Sequence, residues 1–360
     1  MTLPWLAVSI GCPSGIGPEV SVVAAAKMKE ARVLLVGDVG VIEAAARLRK
    51  VDVRRLVCVG DVAQLASLPA RAIGMLQPTA SLSKKDVRPG VPSLAGGRAQ
   101  LAWIDAACDL VHRGDAAALV TGPVSKEAIA RSGSPRFLGH TEHLQRRLRA
   151  REVVMAFASE VFTTSLVTTH LPLSRVPRAV TSRAVATSTF WLAELLSRLA
   201  PRGKRPRIAV ASLNPHAGEG GLLGREEAKA IAPGILAAAK RAARAGVACE
   251  LLGPVPAETA FRVAARGGYD GVVAMYHDQA TIPMKLVGFG EAVNVSLGLP
   301  IVRTSVDHGT AYDIAGRGVA DARGMASAMA LATRLVSATG ATSRMRRTPT
   351  RTRRAPPRSA

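Results

Sequence analysis

The sequence predicts an α/β protein: a mostly parallel sheet covered by helices on both faces, arranged as two α/β/α domains. Three observations carry that expectation. Short apolar runs alternate with segments of helical periodicity along most of the chain, which is the pattern of βαβ units rather than of hairpins. A length of 360 residues suffices for two cores, at about 100–200 residues per domain. Several apolar runs also end in histidine, asparagine or acid, and open α/β sheets bind ligands at strand ends.

Residues 4–10 form the first expected strand. GCPSGIGPEV at 11–20 then makes a glycine and proline loop opening a helix, with Pro18 in the first turn, where proline is tolerated. Such a strand, loop and helix N-terminus offers a place for an anion, and equally makes an ordinary turn. Strands at 32–37 and 55–60 flank a helix at 39–49. The stretch 76–97 is rich in proline, serine and glycine and reads as loop, and 98–113 reads as a helix leading into a strand at 117–122. TGPVSKEAI at 121–129 sets a tight turn before a helix and leaves Thr121, Ser125 and Lys126 available to an anion, or to nothing but the turn.

GHTEHL at 139–144 puts His140 and Thr141 at a glycine turn before a helix at 142–150, with His143 on that helix's surface or in its packing. Strands at 153–158 and 163–170 follow, the second ending in His170. A helix at 180–199 and a strand at 207–213 lead to the turn NPHAGEGG at 214–221, which holds Asn214, His216 and Glu219. Helical runs come at 225–245, kinked or restarted by Pro233 and Gly234, and at 257–267. GVVAMYHDQ at 271–279 is then an apolar strand delivering Tyr276, His277, Asp278 and Gln279. Lys285 follows as a lone cation. The stretch 294–318 sets Asn294, Arg303, Asp307 and His308 among β-branched residues and glycines, and the last helix spans 322–339.

Composition narrows the function classes. The net charge is +22, and because residues 341–360 hold seven arginines and no acid, 22 less 7 leaves +15 for residues 1–340. That excess suits anionic small molecules and nucleic acid alike. Only twelve aromatic residues occur, too few to interleave a basic surface with base-stacking platforms, so a nucleic-acid binder is the distant alternative. The tail at 341–360 is expected to be disordered, having many like charges and almost no large apolar side chains. Four well-separated cysteines, Cys12, Cys58, Cys108 and Cys249, point to a reducing, cytoplasmic compartment. No apolar run reaches the roughly 18 residues of a membrane-spanning helix, so no membrane partner is expected.

The segments at 11–19, 119–126, 139–142, 168–173, 213–221 and 271–320 together resemble the 4-hydroxythreonine-4-phosphate dehydrogenase family of vitamin B6 biosynthesis. HGTAYDIAGRGVA at 308–320 is similar, besides, to the isopropylmalate and isocitrate dehydrogenases. The resemblance implies their two-domain α/β fold with the active site in the interdomain cleft. Residues 1–135 and 300–340 would make one domain, and 136–299 a second that carries the metal site and dimer interface. It implies a homodimer with shared active sites, and NAD- or NADP-dependent oxidative decarboxylation of 4-phosphooxy-L-threonine to 3-amino-2-oxopropyl phosphate. By the same resemblance one divalent ion per site, zinc, magnesium or cobalt, falls to His170, His216 and His277. The substrate falls to His140, Thr141, Lys285, Asn294 and Arg303, and the dinucleotide to His308, Gly309 and Asp313. Asp278 and Asp307 would orient histidines. The family usually has an acid where this chain has Cys12 and alanine where it has Ser14. A related dehydrogenase of a four-carbon sugar-acid phosphate, phosphothreonate or phosphoerythronate, is the alternative within the same class. Read without the resemblance, Lys285 is a solvated lysine and Arg303 a partner for Asp307.

Overall fold

The computed structural model describes residues 3–287 and 291–340, so the expectation for the tail at 341–360 lies outside the described residues. From the N-terminus, β1 (Trp5–Ser9) turns through the glycine loop into α1 (Gly17–Lys27). There follow β2 (Arg32–Val36), α2 (Val39–Leu48), β3 (Leu56–Cys58), β4 (Ile73–Leu76), α3 (Leu94–Arg113), β5 (Ala118–Thr121) and α4 (Lys126–Arg131). The middle of the chain supplies α5 (His140–Arg147), β6 (Val154–Ala158), β7 (Thr163–Leu166), α6 (Val176–Ala179), α7 (Ser182–Leu199), β8 (Arg207–Ala211), α8 (Ala232–Ala245), β9 (Glu250–Val255) and α9 (Ala257–Ala265). β10 (Gly271–Ala274), α10 (His277–Val287), β11 (Val293–Leu297), β12 (Arg303–Val306) and α11 (Arg323–Gly340) complete it.

One twelve-stranded sheet runs through both halves, in the order β3-β4-β2-β1-β5-β12-β11-β6-β7-β10-β8-β9. Pairing is parallel on each flank, as the alternation of strand and helix predicts. It turns antiparallel only in the centre, where β11 opposes both β12 and β6, and β6 opposes β7. The two flanks therefore point in opposite directions, and the reversal takes place over these central strands.

Several elements differ from the sequence expectation. α3 starts at Leu94 because the Ser93 hydroxyl accepts the Gly96 N–H and caps the helix, so part of the supposed loop is its first turn. β4 and β9 were not expected. β9 is an edge strand that contains Gly253 and Pro254, residues which argue for a turn when read locally. The strand ending in His170 stops at Leu166, and His170 stands beyond it with φ 51°. Pro233 does restart its helix: a π-type turn at Glu227–Ile231 gives way to α8.

Alanine, valine and leucine fill the interior, as few aromatics are available. On the first flank Leu6, Val8, Leu34, Leu35, Trp103 and Ile104 are buried between the helices, in a core that continues to Val154, Val293 and Leu335. On the second flank β8 sends Ile208 and Val210 to one core and Ala209 and Ala211 to another. That is the alternation of a strand covered on both faces. Among the described residues no helix is long and apolar enough to cross a membrane.

Candidate functional site

The central reversal places a cleft of about 270 Å³ over one face of β12, β11 and β6. Register decides which side chains form its floor. Asn294 pairs with Ser305 on one side and Phe157 on the other, and two residues along Ser296 pairs with Met155, so these residues share a face with Arg303. The turn after β5 adds Pro123, Val124 and Lys126, the start of α5 adds Gly139 to Glu142, and the loops after β7, β10 and β12 add His170, His277, Asp307, His308 and Gly309.

Arg303 lies at the bottom, 3% exposed. Its Nη1 donates to Asn294 Oδ1 (3.2 Å) and Ser296 Oγ (2.9 Å), and its Nη2 to Thr121 Oγ1 (2.7 Å). All three acceptors are neutral, no carboxylate of the described residues pairs with it, and its Nε has no hydrogen-bond partner. Asp307 is thus not its counterion. Burial pulls the guanidinium down to about 9, and the Glu142 carboxylate opposes that shift. A buried cation held by neutral groups is costly unless an anion joins it.

His140 opens α5 above this floor. Burial first, then the positive charges of Arg303, His143 and Lys126, hold it well below its ordinary range, so it stays neutral. Its Nε2 is sealed from solvent and has no partner among the described residues. Next to it, the Thr141 hydroxyl meets Ser296 Oγ at 3.2 Å. His143 points away, its Nε2 2.6 Å from Asp105, in keeping with a packing role.

At the rim the imidazoles of His170 and His277 face each other with ring centroids 5.7 Å apart. His277 Nδ1 meets Asp278 Oδ1 at 2.7 Å, which orients the ring and leaves Nε2 free. His170 is held below its ordinary value by burial and then by Lys126. The parallel strands β7, β10 and β8 are neighbours, so their C-terminal ends do bring His170, His277 and His216 to one edge. His216, however, sits exposed on a left-handed turn (φ 50°) outside the cleft wall. Among the described residues no group of three histidine, cysteine or acidic side chains can hold a metal ion. Two imidazoles with ring centroids 5.7 Å apart offer two nitrogen donors, so a divalent ion at this rim would need further ligands from elsewhere.

The remaining expected residues divide. Asn294, His308 and Gly309 line the cleft, whereas Asp313 is exposed on the following turn, outside its wall. Lys285 is exposed on α10 and does not line the cleft, although its charge reaches Asp307, whose carboxyl burial pushes up and Lys285 helps draw back. Sequence reasoning overlooked Ser296, Glu142 and Phe157. For Ser296 the signal was present, since a residue two along a strand from Asn294 must share its face.

Residues 29–332 match the family described as pyridoxal phosphate biosynthetic protein PdxA. A 4-hydroxythreonine-4-phosphate dehydrogenase of Desulfosudis oleivorans is 42% identical over 323 residues, covering 89% of this chain and 92% of that one. A Bradyrhizobium diazoefficiens protein, provisionally named D-threonate 4-phosphate dehydrogenase, is 38% identical over 338 residues, covering 89% and 93%. The crystal structure of 4-hydroxythreonine-4-phosphate dehydrogenase from Klebsiella pneumoniae superimposes with a TM-score of 0.77 at 35% identity, covering 92% of this chain and 99% of that one.

Proposed function

The chain belongs to the PdxA family of pyridoxal phosphate biosynthetic proteins, and from that membership we propose that it is a dehydrogenase that oxidises and decarboxylates 4-phosphooxy-L-threonine to 3-amino-2-oxopropyl phosphate with NAD(P)+. The observation that carries the reading is Arg303, a buried guanidinium with three neutral acceptors and an unpartnered Nε at the floor of the cleft. An anionic substrate supplies its missing counter-charge. Asn294 and Thr121 keep the guanidinium in place, and neutral His140, with Thr141, adds hydrogen bonds at the same wall. Lys285, outside the cleft wall but close enough for its charge to act on Asp307, would draw the substrate phosphate by its charge. His308 and Gly309 offer the dinucleotide a contact beside the reacting carbon, with Asp313 beyond them.

His170 and His277 would hold a divalent cation together with His216 of the partner subunit. Such an ion, when bound, supplies Lewis acidity at the substrate's hydroxyl and at the carbonyl made from it. Asp278 keeps the His277 ring in register for that task. The shared site accords with the exposed leucines and isoleucine near these histidines: Leu173 (68% exposed), Leu222 (85%), Ile282 (60%) and Leu286 (80%). An apolar surface of that kind suits a second copy of the chain. Residues 1–135 with 300–340, and 136–299, would then be the two domains that close on substrate, in a cytoplasmic enzyme. Nothing in the cleft calls for nucleic acid.

The D-threonate relative favours a second reading, in which the substrate is a four-carbon sugar-acid phosphate. The test is NAD(P)H absorbance with 4-phosphooxy-L-threonine and with phosphothreonate, each with and without chelator. Turnover of the first, abolished by chelator, is expected. Turnover of phosphothreonate alone selects the second reading, and no turnover of either rejects both.

A further inference from the structure

A second cavity, of about 730 Å³, lies where β2 and β4 begin and α1 ends. Strands β1, β2 and β5 are parallel, so this is the sheet edge away from the loop after β5 that lines the cleft. Its wall holds Lys27, Lys29, Arg32, Arg55 and Arg71 and no acidic residue, and most of the rest is alanine. Other arginines of this flank stand beside acids: Arg47 beside Glu43, Arg49 beside Glu19 and Arg54 beside Asp52. Among the described residues none of the five cavity cations pairs with a carboxylate. The nearest acid in sequence, exposed Glu30, accepts the Lys29 backbone N–H. Part of the positive surplus read from the sequence is therefore concentrated on one concave wall, where charges of one sign focus their field.

Two of the five are held in place. Arg32 Nη2 donates to the carbonyl oxygens of Leu68 (2.7 Å) and Pro69 (2.9 Å), and its guanidinium carbon stands 4.3 Å from the centre of the Trp5 ring. Its Nε is sealed from solvent and has no partner among the described residues. Arg55 Nε donates to the Arg71 carbonyl oxygen (2.9 Å), and its Nη1 to that of Ala26 (3.0 Å). These acceptors are neutral, so they orient the two guanidinium planes without cancelling their charge. An arginine fixed in this way has lost little freedom still to give up to a phosphate. The carbonyl end of α1 opposes an anion with about half a charge, which five cations outweigh.

We propose that this cavity binds a chain of phosphoryl groups, carried by a nucleoside triphosphate or by inorganic polyphosphate. Arg32 and Arg55 grip one phosphoryl group, and exposed Lys27, Lys29 and Arg71 meet the next ones. No other lining side chain carries nitrogen or oxygen, and none is aromatic, so the phosphates and not a base supply the affinity. No residue of the cleft lines this cavity, so the site is independent of the dehydrogenase reading.

The experiment is a titration of inorganic tripolyphosphate into the full-length protein, followed by calorimetry and by tryptophan emission. One ion per chain is expected, with an emission change that Trp5→Phe removes while calorimetric binding persists. Lys29→Gln combined with Arg71→Gln removes two exposed charges and leaves every carbonyl bond of Arg32 and Arg55 in place. It is expected to weaken binding about two- to thirtyfold, with dehydrogenase turnover unchanged when no tripolyphosphate is present. Arg55→Gln should lose at least about tenfold. ATP titrated in parallel separates the sources. Affinity no higher than that of tripolyphosphate makes the inorganic chain sufficient, and affinity at least about tenfold higher, lost in the same variants, assigns the nucleotide. Absent binding, or equal affinity in the wild type and both charge variants, overturns the site and gives any binding to cations elsewhere, the arginines of 341–360 included. Duplex DNA that binds more tightly than tripolyphosphate at the same salt, and loses affinity in the same variants, overturns the small-anion assignment in favour of a nucleic-acid surface.

Discussion

Arg303 and His140 set opposite demands on the molecule. Replacing Arg303 by methionine keeps the stem's packing and removes a buried charge that no carboxylate of the described residues pairs with, although Glu142 acts on it from a distance. Arg303→Met is therefore expected to stay within about 2 kcal/mol of wild-type stability, because relief of the buried charge is set against the Asn294, Ser296 and Thr121 acceptors that lose their donor. The same variant should lose about 10- to 150-fold in kcat/KM, because a charge-assisted bond to the substrate is gone. Urea unfolding and steady-state kinetics on one preparation check both, and a stability loss above 2 kcal/mol, on the order of a typical core truncation, would contradict the first. His140 bears on pH. Its folded value lies well below the ordinary 6.5, so the unfolded chain binds the proton more readily. The stability it contributes is present above pH 6.5 and is lost as pH falls toward the folded value, at up to about 1.4 kcal/mol per pH unit. His140→Gln should flatten that acid limb in urea titrations between pH 5 and 8. An unaltered slope would mean that the imidazole titrates freely.

At the scale of elements, the cleft depends on close helix packing. A methyl group on Gly97 of α3 would meet the Ala128 carbonyl oxygen of α4 at 2.3 Å, a backbone atom that cannot swing aside. Gly97→Ala is expected to cost about 1–3 kcal/mol and, by displacing the turn that carries Lys126, to raise the substrate KM. Differential scanning calorimetry with kinetics tests it, and wild-type values for both would show that α4 yields freely. Much of this level was legible in the sequence. Apolar runs that reached the sheet interior, such as 4–10 and 271–274, declared themselves by composition and by the polar residues that closed them. β4 did not, because Ile73–Leu76 is four residues long and follows directly on a turn at Pro69–Ala72, so no period shows. β9 did not, because an edge strand tolerates the glycine and proline that signal a turn elsewhere. The site was legible to the same degree. Histidines at the ends of neighbouring strands follow from alternation, but His170 and His216 share a left-handed backbone, φ 51° and 50°, and only the first lines the cleft, so the course of each loop decides and no local pattern reports it.

The whole molecule inherits a requirement from that turned histidine. If His216 completes a neighbouring copy's site, His170→Ala and His216→Ala are each inactive alone. Mixed in equal amounts and reassociated, they should regain about a quarter of wild-type activity, since half the dimers are mixed and each has one intact site. Coupled NAD(P)H assays after reversible dissociation measure this. Mixtures that stay inactive while mixed dimers form would reject the shared site. The central reversal of the sheet has a further consequence, for the order in which the protein can be made. β12 occupies the sheet position between β5 and β11 and is covered by α11, yet it is among the last segments synthesised. Until residue 306 has left the ribosome, β5 has an open edge and the floor of the cleft lacks its arginine. The N-terminal strands must wait with that edge unpaired, a state that invites association with other chains. A protein interrupted near residue 300 is therefore predicted to be found with chaperones or in inclusion bodies, not as a soluble half.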